Sequence, residues 1–204
     1  MLLLALVFTP FLAVVLPFLA ARRGRTAIAL CAALAPAIGL ALLLSQAPQV
    51  LDGVVIAVSY PWIAQLGLNL SFRLDGLSFL FALLILGIGL LVILYARYYL
   101  SEQERVARFF ACLLLFMGSM LGLVLAGNLL LMLMFWELTS LSSFLLIGFW
   151  SQQTAARQGA RMALTVTGGG GLALLAGILV IGHVVGSYEL SDVLAAGDML
   201  RAHS

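Results

Sequence analysis

A single carboxyl stands in the middle of an otherwise uncharged apolar run. Glu137 lies within Asn128–Trp150, NLLLMLMFWELTSLSSFLLIGFW, and is the only acidic residue inside any long apolar segment of the chain. The run is long enough to cross a bilayer as a helix. At ~1.5 Å rise per residue the carboxyl falls ~14 Å from its start, near mid-membrane. A charge at that depth costs at least ~2.5 kcal/mol on insertion scales. An acid kept there suits a group that takes up and gives up a proton or attracts a cation. The plainer alternative is a carboxyl pinned between helices by hydrogen bonds, with Thr139, Ser140, Ser142 and Ser143 as hydroxyl donors nearby. Ser140, Leu141 and Phe144 follow Glu137 at i+3, i+4 and i+7 on one face, so Ser140 is its best hydrogen-bond partner within the helix. Trp136 beside it reads as packing.

Other chemistry-bearing residues have simpler readings. Gly168–Gly171 invites comparison with a phosphate loop, but no Gly-Lys-Ser/Thr follows; Leu172, Ala173 and Leu174 do. Close helix packing explains this run better, as it does Gly118-x-x-x-Gly122. His183 falls near a segment end and reads as interfacial. Asp75 stands where a helix starts and suits a cap. Arg157 and Arg161, one turn apart, read as topogenic charge. Cys31 and Cys112 lie in apolar segments, with no C-x-x-C or Cys/His cluster, and read as packing residues. The spacing of a metalloprotease or an intramembrane aspartate pair does not occur, and no metal or cofactor site is expected.

These residues must be held by membrane helices. Of 204 residues, 64% are hydrophobic and only 9% charged, where a soluble domain carries roughly 25% charged. The net charge of +2, with no long basic run, gives no reason to expect nucleic acid. Six segments are long enough to span: 2–21, 27–45, 75–97, 109–126, 128–150 and 162–186. The expected fold is an all-α integral membrane bundle, because backbone groups in lipid must be satisfied within the segment. Ala126-Gly127-Asn128 is a short turn that makes segments four and five an antiparallel hairpin. Pro10, Pro17 and Pro36 are kink candidates. The stretch 46–74 reads as an external loop, with β-prone VVIAVSYPW and LNLSFRL suggesting a small hairpin. The external tail 187–204 suggests a short interfacial helix capped by Ser191.

Arginine placement orients the chain. All ten basic residues are arginine, and eight of them (Arg22, Arg23, Arg25, Arg97, Arg105, Arg108, Arg157 and Arg161) fall on one face of this topology. The positive-inside rule makes that face cytoplasmic and puts both ends of the chain outside a cell (plasma or inner) membrane. The start, MLLLALVF, has neither the basic flank nor the cleavage site of a signal peptide.

Three stretches carry a resemblance: FRLDGLSFLFALLILGIGLLVILYARYYL, RFFACLLLFMGSMLGLVLAGNLLLMLMFWELTSLSSFLLIGFW and TGGGGLALLAG. They resemble the A-type subunits of Mrp-type multisubunit monovalent cation/proton antiporters, densest from Phe72 to Gly177. The antiporter-like subunits of respiratory complex I are similar, with an equivalent W-E…LLIGF helix; Leu-Thr-Ser after the glutamate favours the Mrp branch. The resemblance implies the first six helices of a longer subunit, with Glu137 as a proton relay. In the family that glutamate pairs with a lysine on a seventh helix, and this chain contains no lysine. Partners implied are the other subunits of the complex, the lipid bilayer, protons and monovalent cations, sodium above all. The resemblance implies a secondary transporter without a redox cofactor, not an enzyme. The alternatives are a proton-pumping subunit of a respiratory or hydrogenase complex, and a membrane scaffold without an ion path.

Overall fold

The computed structural model describes residues 1–101, 104–197 and 201. Six helical stretches among them are long and apolar enough to cross a membrane. The first is broken: α1 (Leu2–Ala13) and α2 (Leu16–Leu19) are separated at Val14-Val15. Pro17 causes the break, since its ring nitrogen cannot bond the carbonyl four residues back. Pro10 lies inside α1, and Pro36 inside the unbroken α3 (Arg25–Ser45). Of the three proline positions, only Pro17 interrupts its helix.

The remaining spans are α5 (Gly76–Tyr99), α6 (Val106–Leu125), α7 (Leu129–Ile147) and α8 (Thr154–Val185). The last begins eight residues before the apolar run does. Hydropathy marks where lipid contact begins, whereas Thr154–Arg161 continues the backbone ladder into a polar region. Arg157 and Arg161 therefore ride on the helix rather than precede it.

The stretch before α5 is more structured than a loop. A short helix, α4 (Ala47–Leu51), leads into antiparallel strands β1 (Ile56–Ile63) and β2 (Leu68–Leu74). The hairpin is the expected one, but Pro61 sits inside β1, at the register shift between Pro61 and Ile63. A two-stranded sheet has only edge strands, where a missing N–H is tolerated. Gly67 turns the chain at φ +66°, a left-handed conformation that favours glycine.

Helix α6 is the axle of the bundle. It packs against α1, α3, α5 and α7, and its Phe110, Leu114, Leu121 and Leu125 are fully enclosed. Its glycines are seats for rings, in keeping with the Gly-x-x-x-Gly spacing. A Cβ on Gly118 would come within 2.8 Å of the Phe11 ring from α1, and one on Gly122 would overlap Phe135 from α7. Phe11, Phe135, Phe72 and Phe8 form a chain of ring contacts with centroids 6.1–6.4 Å apart. Helix α8 lies at the edge, packed along α7, with Ala160, Gly171 and Ile178 as its buried residues.

At the hairpin end, backbone bonds clasp distant segments together. The Gly127 N–H donates to Ser71 O at 2.7 Å, Leu190 N–H to Gly127 O at 2.8 Å, and Leu129 N–H to Tyr188 O at 2.8 Å. Strand β2, the α6–α7 turn and the segment after α8 are thus stitched side by side. The tail forms α9 (Leu190–Ala195), but Ser191 does not cap it. Glu189 occupies the cap position, and the Ser191 hydroxyl turns to Asp192 Oδ1 at 3.4 Å. The helix therefore starts two residues earlier than a cap at Ser191 would place it, where the Leu190 N–H is already tied to Gly127 O. Asp198 and residues 202–204 of the tail lie outside the described residues.

Candidate functional site

Glu137 occupies the middle of α7 and is half-buried. The hydroxyls that follow it are turned into their own helix. Thr139 Oγ1 donates to Trp136 O at 2.6 Å, Ser140 Oγ to the same carbonyl at 3.1 Å, Ser142 Oγ to Leu138 O at 2.7 Å, and Ser143 Oγ to Ser140 O at 2.9 Å. The buried Ser140 therefore bonds the Trp136 carbonyl rather than the Glu137 carboxyl. The reason is proximity: the i−4 carbonyl is the nearest acceptor to a helical serine.

The carboxyl meets α8 instead. A Cβ placed on Gly171 would overlap Glu137 Oε1 and lie 3.0 Å from its Cδ and 3.5 Å from Trp136 Cδ1. Gly168, Gly169 and Gly170 have nothing within 4 Å of the corresponding position. Close packing therefore applies to the last of the four glycines alone. Trp136 Nε1 is buried with no acceptor among the described residues. A buried N–H without a partner costs about 1–3 kcal/mol, so this donor is available to any acceptor that reaches it. Sequence reasoning found Glu137 and passed over Gly171, because four glycines look alike until the helix is rotated against its neighbour.

Other residues sort clearly. Asp75 caps α5: Ser78 N–H donates to Asp75 Oδ1 at 3.0 Å, the Asp75 N–H donates to Ser78 Oγ at 2.8 Å, and Arg73 pairs with Asp75 Oδ2 at 3.2 Å. Burial pushes the Asp75 carboxyl up, but the Ser78 N–H, the Ser78 hydroxyl and the Arg73 guanidinium more than offset it and hold it below the usual carboxylate range. His183 is exposed on the last turn of α8. Arg157 reaches back to Thr154 Oγ1 at 3.3 Å and Ser151 O at 3.4 Å.

Asn128 does more than turn the chain. Its Oδ1 accepts from Leu130 N–H and Leu131 N–H, capping α7, while its Nδ2 donates to Gly67 O and Glu189 Oε1, both at 2.9 Å. Asn69 Nδ2 donates to the same Glu189 oxygen at 2.8 Å. An asparagine just before an apolar run was the available signal.

A cavity of about 680 Å³ opens at the arginine-rich end between Phe18, Arg25, Arg105 and Arg108. It includes no residue of the Glu137–Gly171 contact. A smaller one, about 230 Å³, lies at the same end of the α7–α8 seam, lined by Phe144, Arg108, Arg157 and Arg161.

Fold and site together define a polytopic membrane protein with one carboxyl held at mid-span against a glycine of the next helix. Residues 62–110 match the family model for the N-terminus of chain 5 of NADH-ubiquinone oxidoreductase (complex I), and residues 126–203 match that for the transmembrane part of the NADH:quinone oxidoreductase and Mrp antiporter subunits. The chain belongs to this family of antiporter-like membrane subunits, on the side of the Mrp A-type proteins. It is 58% identical over 156 residues to the probable K(+)/H(+) antiporter A/B subunit of Rhizobium meliloti, a stretch covering 76% of this chain and 16% of that protein. It is 47% identical over 144 residues to the A1 subunit of the Na(+)/H(+) antiporter of Staphylococcus haemolyticus, covering 71% of this chain and 18% of that one. Among solved structures, the Mrp complex of Dietzia sp. DQ12-45-1b matches 95% of this chain and 20% of the matched chain, with TM-score 0.81 and 33% identity. An archaeal respiratory membrane complex, the membrane-bound sulfane sulfur reductase, shares the fold (TM-score 0.75, 21% identity, 92% of this chain and 28% of that one). The chain spans about a fifth of the length of the curated relatives it matches.

Proposed function

We propose that the chain is the first six helices of the proton-handling module of a monovalent cation/proton antiporter, working within a multisubunit complex and a longer subunit. Glu137 serves as the proton relay. The single observation that supports this best is a carboxyl at the middle of a spanning helix, facing another helix and engaged by no hydroxyl of its own helix. A carboxyl needed only for packing would be expected to carry such bonds. In the longer assembly a cation from another helix would complete the pair, as the family resemblance implies.

Sodium is the proposed cation. The relatives' names divide between potassium and sodium, so exchange should be measured with each salt. The arginine-bearing ends face the cytoplasm of the cell membrane, and both chain ends face outside. The wide apolar surface left open on α5 and α8, including Leu91, Tyr95, Met162 and Leu172, is offered to lipid and to neighbouring subunits.

The deciding experiment is Glu137→Gln in the full-length assembly. Glutamine keeps the shape and cannot titrate, so exchange should fall close to background while insertion and assembly stay normal. Glu137→Asp keeps the proton with a shorter reach and should retain part of the activity. Wild-type exchange by the glutamine variant would make Glu137 a packing residue.

A further inference from the structure

We propose that Gly171 is a positioning residue for Glu137: the missing side chain forms the seat in α8 that holds the carboxyl at the α7–α8 seam. The inference rests on the reading of Glu137 as the relay. Glycine inside a helix costs about 1 kcal/mol relative to alanine, so a glycine kept there needs a local reason. At Gly168, Gly169 and Gly170 no neighbour supplies one; at Gly171 three atoms of α7 do. Oε1 and Cδ of Glu137 and Cδ1 of Trp136 converge on the point where a methyl would stand. Cδ1 is bonded to Nε1, the buried indole nitrogen with no acceptor among the described residues. The seat therefore brings together the chain's mid-membrane carboxyl and the edge of a ring with an uncommitted donor.

The chemical consequence is specific. Alanine at Gly171 leaves Glu137 and its proton intact but expels the carboxyl from the seam. Misplacing a reacting group by about 1 Å can cost on the order of a hundredfold in rate. Aspartate at position 137 is one methylene shorter and clears the methyl, so it should relieve the alanine rather than add to its damage.

The test uses the full-length assembly with Gly171→Ala, Glu137→Asp, the double variant, and Gly169→Ala as a control on the open face. Two readouts are needed. The first is the rate at which dicyclohexylcarbodiimide, a lipophilic carboxyl reagent, modifies residue 137, followed by mass spectrometry. The second is exchange in everted vesicles. Gly171→Ala should label several-fold faster, because the carboxyl leaves the seam, and should lose exchange on the order of tenfold or more; Gly169→Ala should match wild type in both. The double variant should exchange faster than Gly171→Ala alone. If Gly171→Ala does not assemble, the double variant must restore assembly, and its failure to do so overturns the proposal. Wild-type labelling and exchange in Gly171→Ala, or equal effects at Gly169, also overturn it. Labelling reports the seat whether or not Glu137 carries protons, whereas Glu137→Gln tests the relay alone, so the two claims fail separately.

Discussion

Asp75 is the side chain whose charge is best explained by its surroundings. Against its burial, which pushes it up, the bonds to Asp75 Oδ1 from the Ser78 N–H and the Ser78 hydroxyl and the one to Oδ2 from Arg73 hold its carboxyl below the usual range near ~4. The sign of the linkage follows. A carboxyl with a depressed folded-state value stabilises the fold above its unfolded value, and that contribution is lost as pH falls through the folded value. Asp75→Ala should therefore lower stability by about 1 kcal/mol at neutral pH, the usual worth of a cap. The gap from wild type should begin to narrow as pH falls toward the unfolded value near ~4 and go on narrowing through the lower folded value, where the wild-type carboxyl takes up its proton. Thermal unfolding in detergent between pH 3 and 7 would show it; a gap that does not change with pH would remove the charge from the account. Asp75 and Glu137 were both legible in the sequence, one by standing before an apolar run and the other by standing within one. Trp136 and Gly171 were not, because their roles depend on how two helices are rotated about each other.

Single packing events and caps join the elements, and each can be broken alone. A methyl at Gly122 would overlap Phe135 and push α7 away from α6. Gly122→Ala should destabilise by about 1–3 kcal/mol, the usual cost of overpacking, whereas Gly87→Ala, with nothing within 4 Å, should not. Asn128→Ala removes two cap bonds and leaves Gly67 O and Glu189 short of a donor. The loss should be about 1 kcal/mol for the cap and about 1–3 kcal/mol more for the stranded acceptors. Unfolding midpoints of the two variants would check both figures. The helices were legible because hydrophobic runs of spanning length have one solution in lipid. Their ends were less so. Helix α8 carries on past its apolar part because backbone bonding is indifferent to hydropathy, and α4 is too short to show a period. The hairpin showed through its β-branched and aromatic residues, but its joining to Gly127 and Leu190 is backbone bonding, which leaves no trace in side-chain pattern.

Orientation and assembly are properties of the whole molecule. With Cys31 and Cys112 replaced, a cysteine at exposed Gln65 beside the hairpin turn should react with an impermeant thiol reagent in intact cells. One at exposed Gln152 should react only after the membrane is opened. Gly24 and Gly53 are poor sites for this label, since their φ values of +90° and +81° strain any side chain. Labelling at Gln152 from outside would invert the topology. The 204-residue chain by itself should give no cation/proton exchange in everted vesicles, since the relay proposed at Glu137 calls for a cationic partner and this chain contains no lysine to supply it; clear exchange by the purified chain would end that view.

The clasp also sets where the bundle can give. Bonds from Gly127, Leu129 and Leu190 tie the ends of α6, α7 and α8 to β2, while cavities separate the helix ends at the arginine face. The stitched end of the bundle is thus the hairpin end, and the open space lies at the other. Were α8 to tilt against α7 about the Tyr188–Leu190 link, displacement would grow along the helix from that end and reach Gly171 on the way to Arg157, so a rotation too small to disturb the hairpin would still change the fit at Glu137. Amide hydrogen exchange should read this gradient, slowest at Gly127, Leu129 and Leu190 and fastest from Ser151 to Arg157.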